Sequence, residues 1–214
     1  MIIDVDKTGS EDLYKLLIGS VLPRPIAWVS SISADGVPNL APFSFFTVAS
    51  SNPPILCFSP ALKEAVVDGK VLTVPKDTLR NVKETGEFVV NVVSRPVAEK
   101  MVQTSGEYAA GVNEFDAAGL TAVPSKMVRP PRVGESLINM ECKLHQILEF
   151  GHHPGAGSLI LGRILCFHLD DSVYKSGHVE LDVLQPIGRL SGAHYCTIKD
   201  RFEMQRPRIE QLVE

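Results

Sequence analysis

The sequence predicts a mostly β protein, an antiparallel barrel with a few peripheral helices that forms one domain over residues 1–214. Residues 25–58 carry β-branched and aromatic runs separated by turn signals, and their connections are too short for the crossover helices of parallel strands. Two longer strand-like segments, 135–150 and 158–171, flank a glycine-rich loop and would close the barrel. A length of 214 residues, with 44% hydrophobic and 21% charged residues, is typical of one globular domain.

The first elements follow from helix and strand signals in chain order. A helix is predicted over residues 10–18, because leucines recur at helical intervals and Thr8 and Glu11 have the spacing of a capping box. Strands follow, the second of them a single extended run, and together they predict an antiparallel meander. These strands are predicted at residues 25–33, 37–50 and 55–59.

The middle of the chain alternates helices with strands. Lys76 or Asp77 is expected to cap a helix that stops at Gly86, and residues 87–93 form the next strand. Ser94 would cap a further helix with Pro96 in its first turn. Residues 106–132 are interpreted as a long ordered excursion with a short helix near Glu114, and the tail from residue 185 as irregular.

Charge and composition exclude several classes of protein. A net charge of −4 without a lysine or arginine block argues against nucleic-acid binding. The polar, acidic first residues and the lack of a long apolar run indicate a cytoplasmic protein without a membrane segment. The four cysteines form no CxxC pair and are expected to be buried, reduced thiols.

Familiar catalytic and metal motifs are missing from the sequence. There is no P-loop and no GxSxG, and Ile160 occupies the third glycine position that a dinucleotide-binding loop would need. His152 and His153 are adjacent and have no third ligand at useful spacing, so an exposed hairpin loop is favoured over a metal site.

Three segments could carry a binding site. Lys76 and Thr78 open a helix whose free N–H groups suit a phosphate, although Asp77 could equally cap an ordinary helix. The segment 41–47, rich in aromatic and hydroxyl residues, could lie along a flat ring, or it could be a core strand with alternate side chains pointing inward. Arg24 is held in an extended setting between two prolines, and the single tryptophan, Trp28, could stack on a ring or fill the core.

In this order along the chain, the segments resemble the flavin reductase-like family of FMN-binding split barrels. The resemblance covers nearly the whole chain and implies a Greek-key split barrel that forms a homodimer, with FMN near the dimer interface. The chain departs from the family pattern in residues 60–74, which are apolar where the family would be expected to have a polar loop. The segments that carry it are PRPIAWVSSISADGVPNLAPFSFF, PPILCFSP, KDTLRNVKETGEFVVNVV, EYAAGVNEFDAAGL, RPPRVGESLINMECKLHQI and QPIGRLSGAHY.

The resemblance also implies a function and a set of site residues. The chain would transfer hydride from NADH or NADPH to flavin, with a monooxygenase component as one partner for the reduced flavin. An FMN-containing electron carrier and a flavin-binding module without nicotinamide activity remain the alternatives. Lys76, Thr78 and Ser59 would bind the FMN phosphate, and Tyr195 would lie near the nicotinamide. The residues implied beside the flavin ring are Arg24, Trp28, Ser44, Phe45, Phe46 and Thr47.

Overall fold

The computed structural model of the protein describes residues 1–109 and 111–207. Within these residues the fold is mostly β, as predicted, with short helices between the strands. The helices are α1 (Ser10–Ser20), α2 (Asp77–Thr85), α3 (Ala98–Gln103), α4 (Glu114–Ala117) and α5 (Leu181–Leu184), with 3-10 turns at Val5–Lys7 and Arg95–Val97. The strands are β1 (Ala27–Ile32), β2 (Pro38–Phe43), β3 (Phe46–Ser51), β4 (Pro54–Phe58), β5 (Lys63–Val67), β6 (Lys70–Val74), β7 (Glu87–Val92), β8 (Ala122–Val123), β9 (Arg132–Val133), β10 (Ile138–Glu149), β11 (Ser158–Leu169), β12 (Tyr174–Lys175), β13 (His178–Val179), β14 (Ile187–Arg189) and β15 (Tyr195–Thr197).

Seven strands form one antiparallel sheet in the order β2-β1-β7-β10-β11-β4-β3. The predicted meander is therefore wrong beyond the hairpins β1–β2 and β3–β4. The single extended run predicted for residues 37–50 is also wrong, because it breaks at Ser44 and Phe45 into two strands at opposite edges of the sheet. Since this short connection joins the two edge strands, the sheet must curl until its edges meet at this corner.

The helix boundaries correct one prediction and confirm another. Helix α1 begins after Gly9, which makes no side-chain cap bond, and the Thr8 hydroxyl donates instead to the Asp4 carbonyl, so the predicted capping box is wrong. Helix α2 begins after Lys76 and ends at Gly86, whose φ of 70° suits the left-handed conformation that glycine adopts without a Cβ clash. Both limits of α2 follow the prediction.

The interior of the curled sheet is filled by aromatic rings. The rings of Phe43 and Phe58 lie 5.2 Å apart, and those of Phe58 and Phe88 lie 5.4 Å apart. Phe88 packs directly against Gly162 of β11, where an added Cβ would lie 2.2 Å from the ring. Glycine is therefore required at this position to let the ring into the core.

The segment that departs from the expected family pattern forms the hairpin β5–β6. Asp68 and Gly69 make its turn with positive φ values of 51° and 74°, as a two-residue hairpin turn of the primed type requires. The side chains of Val66 and Val71 are 74% and 66% exposed, so the apolar character of this segment reflects an exposed hairpin rather than a core strand.

The longest excursion of the chain is anchored by one buried carboxylate. Residues 106–132 contain the short helix α4 near Glu114, as predicted. The fully buried carboxylate of Glu141 accepts the backbone N–H groups of Lys126, Met127 and Val128 and a further hydrogen bond from His168. Ligand-type atoms of Glu141, Cys166 and His168 lie within 4.8 Å of one another, but the Glu141 oxygens are already occupied by these donors.

The remaining predictions concern thiols, the histidine loop and membrane segments. All four cysteines are free; Cys142 is buried, whereas Cys57, Cys166 and Cys196 are only half-buried. His152 and His153 lie in an exposed loop between the long strands β10 and β11. None of the helices in the described residues combines the length and the apolar character that crossing a membrane would demand.

Candidate functional site

Two adjoining hollows lie along strand β2. The first, the arginine hollow, has a volume of about 400 Å³ and includes Arg24, Ser44, Arg189 and Tyr195. The second, the lysine hollow, has a volume of about 130 Å³ and includes the start of α2. Pro42 and Ser105 line both, so the two hollows form one groove. The lysine hollow is defined by Asn39, Lys63, Lys76, Thr78, Glu107 and Glu114.

The lysine hollow places two ammonium groups near the start of α2, together with the carboxylates of Asp77, Glu107 and Glu114. The Lys76 ammonium lies 6.0 Å from the centre of the Phe43 ring, and Lys63 of β5 lines the same hollow. Partial burial lowers the pKa of Lys76, the nearby charge of Lys63 lowers it further, and Glu107 acts in the opposite direction. An anion bound between the two ammonium groups would relieve their mutual repulsion.

The start of α2 is also open to a ligand. Among the described residues no side chain caps the helix, so its first N–H groups carry the partial positive charge of a helix start without a side-chain acceptor. The carboxylate of Asp77 is paired with the guanidinium of Arg80 within the helix. The acidic residue that would repel an anion is therefore engaged one turn further along.

Thr78 is buried and hydrogen-bonded within the protein, whereas its place at the start of a helix suggested a hydroxyl open to a phosphate. Its side chain is 1% exposed, and its hydroxyl donates to the Asn39 Oδ1 at 2.9 Å. The Asn39 amide donates to Glu114 at 2.8 Å, and the second oxygen of Glu114 accepts the Leu40 N–H. This buried network ties α2, β2 and α4 together, so Thr78 fixes the floor of the lysine hollow, and its hydroxyl already has a partner.

Arg24 and Tyr195 meet in the arginine hollow. The Arg24 guanidinium donates to the carbonyls of Ile18, Val21 and Leu190 at 2.8–2.9 Å and makes a longer contact of 3.4 Å with the Ser44 hydroxyl. Tyr195 lies under the guanidinium of Arg189, with 4.6 Å between the Arg189 Cζ and the ring centre, and its hydroxyl accepts from Arg189. Arg24 thus joins the end of α1, the corner of the sheet and the tail hairpin β14–β15.

Trp28 lies in the core rather than in the groove. Its side chain is fully buried, and its indole N–H donates to the Thr104 hydroxyl at 2.9 Å. Thr104 in turn lines the lysine hollow. Of the two interpretations of Trp28, the structure therefore gives the core position, with an indirect connection to the groove through one hydroxyl.

The corner between β2 and β3 exposes its aromatic residues. Phe43 is buried, but Phe45 is 44% exposed and Thr47 is also exposed, so the alternative of a plain core strand fails beyond Phe43. Phe46 is half-buried against the aromatic core. Ser59 donates its N–H to the Phe45 carbonyl at 2.9 Å and lies outside the described lining of both hollows.

Sequence reasoning missed several residues of the groove. Lys63 lies in the segment 60–74, for which no strand is predicted, although the Asp68–Gly69 pair is a recognisable hairpin signal that places it on a strand. Arg189 stands beside Tyr195 in the tail that was expected to be irregular. Asn39 and Glu114 are 75 residues apart, and no local pattern links them.

Comparison with known proteins agrees with the resemblance to the flavin reductase-like family. The family model described as "Flavin reductase like domain" matches residues 18–182. The Bacillus subtilis protein YwrF is 39% identical over 210 residues, which cover 96% of this chain and 98% of YwrF.

Solved structures give the same result. Nitrilotriacetate monooxygenase component B from Bacillus cereus superimposes with a TM-score of 0.87 at 33% identity, covering 95% of this chain and 98% of that one. A putative flavin reductase with a split barrel domain from Shewanella frigidimarina has a TM-score of 0.79 at 19% identity, covering 97% and 100%, and shows the shared fold. With most of its length matched by the family model, the chain belongs to the flavin reductase-like family.

Proposed function

We propose that this protein binds FMN and uses NADH or NADPH to reduce flavin. The observation that carries the proposal is the groove, in which the hollow with Lys63 and Lys76 at the start of α2 adjoins a larger hollow with two arginines and with aromatic and apolar walls. FMN has the same division, with a phosphate at one end and a flat ring at the other. Lys63, Lys76 and the first N–H groups of α2 would hold the phosphate.

The other residues implied by the family resemblance then take roles along the ring. Ser44, Phe45, Phe46 and Thr47 form the corner between β2 and β3 that would lie beside the ring, and Tyr195 would border the nicotinamide. Arg24 would hold this corner in place through Ser44. Thr78 and Trp28 would support the groove indirectly, Thr78 through its hydrogen bond to Asn39 and Trp28 through its hydrogen bond to Thr104. Ser59 would support the corner through its N–H bond to the Phe45 carbonyl.

This proposal accounts for the missing catalytic motif. Bound flavin supplies the hydride-accepting chemistry, so the protein needs to bind, orient and screen the two rings. Purified protein is expected to oxidise NADH or NADPH when FMN is added, followed by the loss of nicotinamide absorbance. Tight FMN binding without nicotinamide oxidation would instead support an electron carrier or a flavin-binding module.

The two lysines of the lysine hollow predict a preference among flavins. We expect FMN to bind about tenfold or more tightly than riboflavin, because riboflavin lacks the phosphate that would receive charge-assisted hydrogen bonds. Quenching of flavin fluorescence on titration with protein measures both affinities. Equal affinities would contradict the assignment of the lysine hollow to the phosphate.

The partner of the reduced flavin is a further part of the proposal. A solved relative at 33% identity is named as component B of a monooxygenase. We infer that reduced flavin from this protein passes to a monooxygenase component in the same way. Stimulation of a flavin-dependent monooxygenase by this protein with NADH would support the inference, and its failure would leave flavin reduction itself unaffected.

A homodimer is also proposed, on the basis of exposed apolar surface. Strand β3 is an edge of the sheet and carries Val48, which is 68% exposed, and the hairpin β5–β6 exposes Val66 and Val71. Pairing two copies would remove such surface from water. Light scattering is expected to give a mass near twice 23.3 kDa, and a monomer that still binds FMN tightly would contradict a site at a dimer interface.

A further inference from the structure

Three side chains with metal-binding atoms meet on one face of the large sheet. Glu141 of β10 lies directly opposite Cys166 of β11, and His168 follows two residues further along β11. Because side chains alternate between the two faces of a strand and cross-strand partners share a face, all three point to the same side. None of the three residues lines either hollow of the groove, so the cluster is separate from the residues assigned to flavin.

The ligand-type atoms of the cluster are close enough to share one ion. The His168 Nε2 lies 2.5 Å from the Glu141 Oε1 and 3.7 Å from the Cys166 Sγ, and the three atoms lie within 4.8 Å of one another. Ligand atoms bonded to one tetrahedral zinc ion lie about 3.3–3.7 Å apart, given bonds of about 2.0–2.3 Å. The separation of His168 from Glu141 would therefore have to widen by about 1 Å.

The backbone of the long excursion holds Glu141 in place. Its Oε2 accepts the N–H groups of Met127 and Val128, and its Oε1 accepts that of Lys126. The remaining bond to Oε1 comes from His168, and it is the one that an ion between the two side chains would replace. Metal-bound carboxylates are generally oriented by such hydrogen bonds from outside the ligand set. The three backbone donors would thus remain in place when a metal binds.

The chemistry of the three ligands fits zinc. Thiolate and imidazole are preferred zinc ligands, and carboxylate is the third type found in zinc sites. On binding, the Cys166 thiol would release its proton to solvent, and His168 would bind through Nε2 as the neutral ring, with its proton on Nδ1. One thiolate and one carboxylate then balance the two charges of Zn²⁺. Magnesium and calcium are poorer matches because they prefer oxygen ligands.

The cluster can be reached from one side. Glu141 is fully buried, whereas the His168 side chain is 25% exposed and Cys166 is half-buried. An ion would therefore approach past His168 and Cys166 and meet the carboxylate last. Three protein ligands fill three corners of a tetrahedron, and solvent would supply the fourth.

We propose that Glu141, Cys166 and His168 form a zinc site that fastens the long excursion to the sheet. The ion links β10 to β11 directly and holds residues 126–128 through the Glu141 carboxylate. An ion that binds the folded chain and not the unfolded one stabilises the fold. This site goes beyond the proposed flavin reduction and does not depend on it.

The test uses the full-length, flavin-free protein, which is stripped of metal with a chelator and then titrated with Co²⁺ as a spectroscopic substitute for zinc. One equivalent of Co²⁺ per chain is expected to bind, with a near-ultraviolet band from the thiolate–cobalt bond and the intense visible bands of tetrahedral cobalt. Added Zn²⁺ should displace the cobalt and abolish both signals, whereas Mg²⁺ should leave them unchanged. Zn²⁺ should also raise the melting temperature of the metal-free protein.

Two variants and two matched controls locate the ion. Cys166→Ser should lose the near-ultraviolet band. His168→Gln should lower zinc affinity, measured by competition with a chromogenic chelator, at least about tenfold, because even partners outside the ligand set typically contribute that much. The controls are Cys57→Ser, a half-buried thiol on β4, and His145→Gln, an exposed histidine on β10, and both should match the unmodified protein.

Several outcomes would overturn the proposal. These are the absence of one-equivalent cobalt binding with a thiolate band, an unchanged band in Cys166→Ser, and an unchanged zinc affinity in His168→Gln. Loss of the band in Cys57→Ser would place the ion at another thiol. If either ligand variant failed to fold, the cobalt spectrum of the unmodified protein and of the two controls would decide the question. Failure of FMN to bind would contradict the proposed function without affecting this titration.

Discussion

Replacement of Lys76 by alanine is expected to weaken FMN binding by about 1–3 kcal/mol, up to roughly a hundredfold, while riboflavin binding stays nearly unchanged. The Lys76 ammonium and Lys63 line the lysine hollow at the uncapped start of α2. Removing one of the two cations would remove a charge-assisted contact that only a phosphate can receive. Fluorescence titrations of both flavins against the same variant measure the difference.

The fold should tolerate this replacement. The Lys76 side chain makes no capping bond to α2, so within the described residues alanine loses no intramolecular hydrogen bond there. Lys83→Ala is the matched control, because Lys83 lies in the last turn of the same helix and pairs with Glu149, away from the groove. An equal loss of FMN and riboflavin affinity in Lys76→Ala would show that the ring site had been disturbed, and an unchanged FMN affinity would remove Lys76 from the site.

Local signals predicted those parts of the fold that depend on neighbouring residues. Gly86 ends α2 because the helix needs a left-handed residue at that point, and the glycine in the sequence marks it. The strands β10 and β11 are predicted because two long strand-like segments flank the loop that contains His152 and His153. In each of these elements the residues that determine the structure lie within the element or next to it in the sequence.

Contacts between distant residues decided what the sequence could not predict. Thr78 has the position of a phosphate donor in the sequence, but its hydroxyl is occupied by Asn39, which is held by Glu114 from another helix. Trp28 has the size for a stacking residue, but Thr104 accepts its N–H inside the core. The break at Ser44 depends on the curl of the whole sheet. None of these partners is adjacent in the sequence, so no local pattern identifies them.

The buried carboxylate of Glu141 leads to the largest expected effect on stability. Glu141→Gln is expected to lower the free energy of unfolding by about 3 kcal/mol, because an amide in its place turns an NH₂ group toward backbone N–H donors and leaves one or more of them unpaired in the interior. The donors are those of Lys126, Met127 and Val128, which Glu141 fixes against the sheet. Urea unfolding at neutral pH, followed by circular dichroism, measures the loss.

The same carboxylate predicts how stability depends on pH. Burial on its own would raise the pKa of Glu141, but the N–H groups of Lys126 and Met127 and the contact with His168 outweigh it, so the pKa lies below its ordinary value of 4.5. A carboxylate whose pKa is lower in the folded state than in the unfolded state stabilises the fold above the unfolded pKa. That contribution is lost as the pH falls from about 4.5 through the folded value.

The difference between the protein and its Glu141→Gln variant should therefore be largest at neutral pH and shrink in acid. Glu149→Gln on the same strand is the matched control, because Glu149 is an exposed residue paired with Lys83 and its replacement should leave the urea midpoint close to that of the unmodified protein. If Glu141→Gln unfolded at the same urea concentration as the control, or if its deficit were constant down to acid pH, the carboxylate would not be what holds residues 126–128 to the sheet.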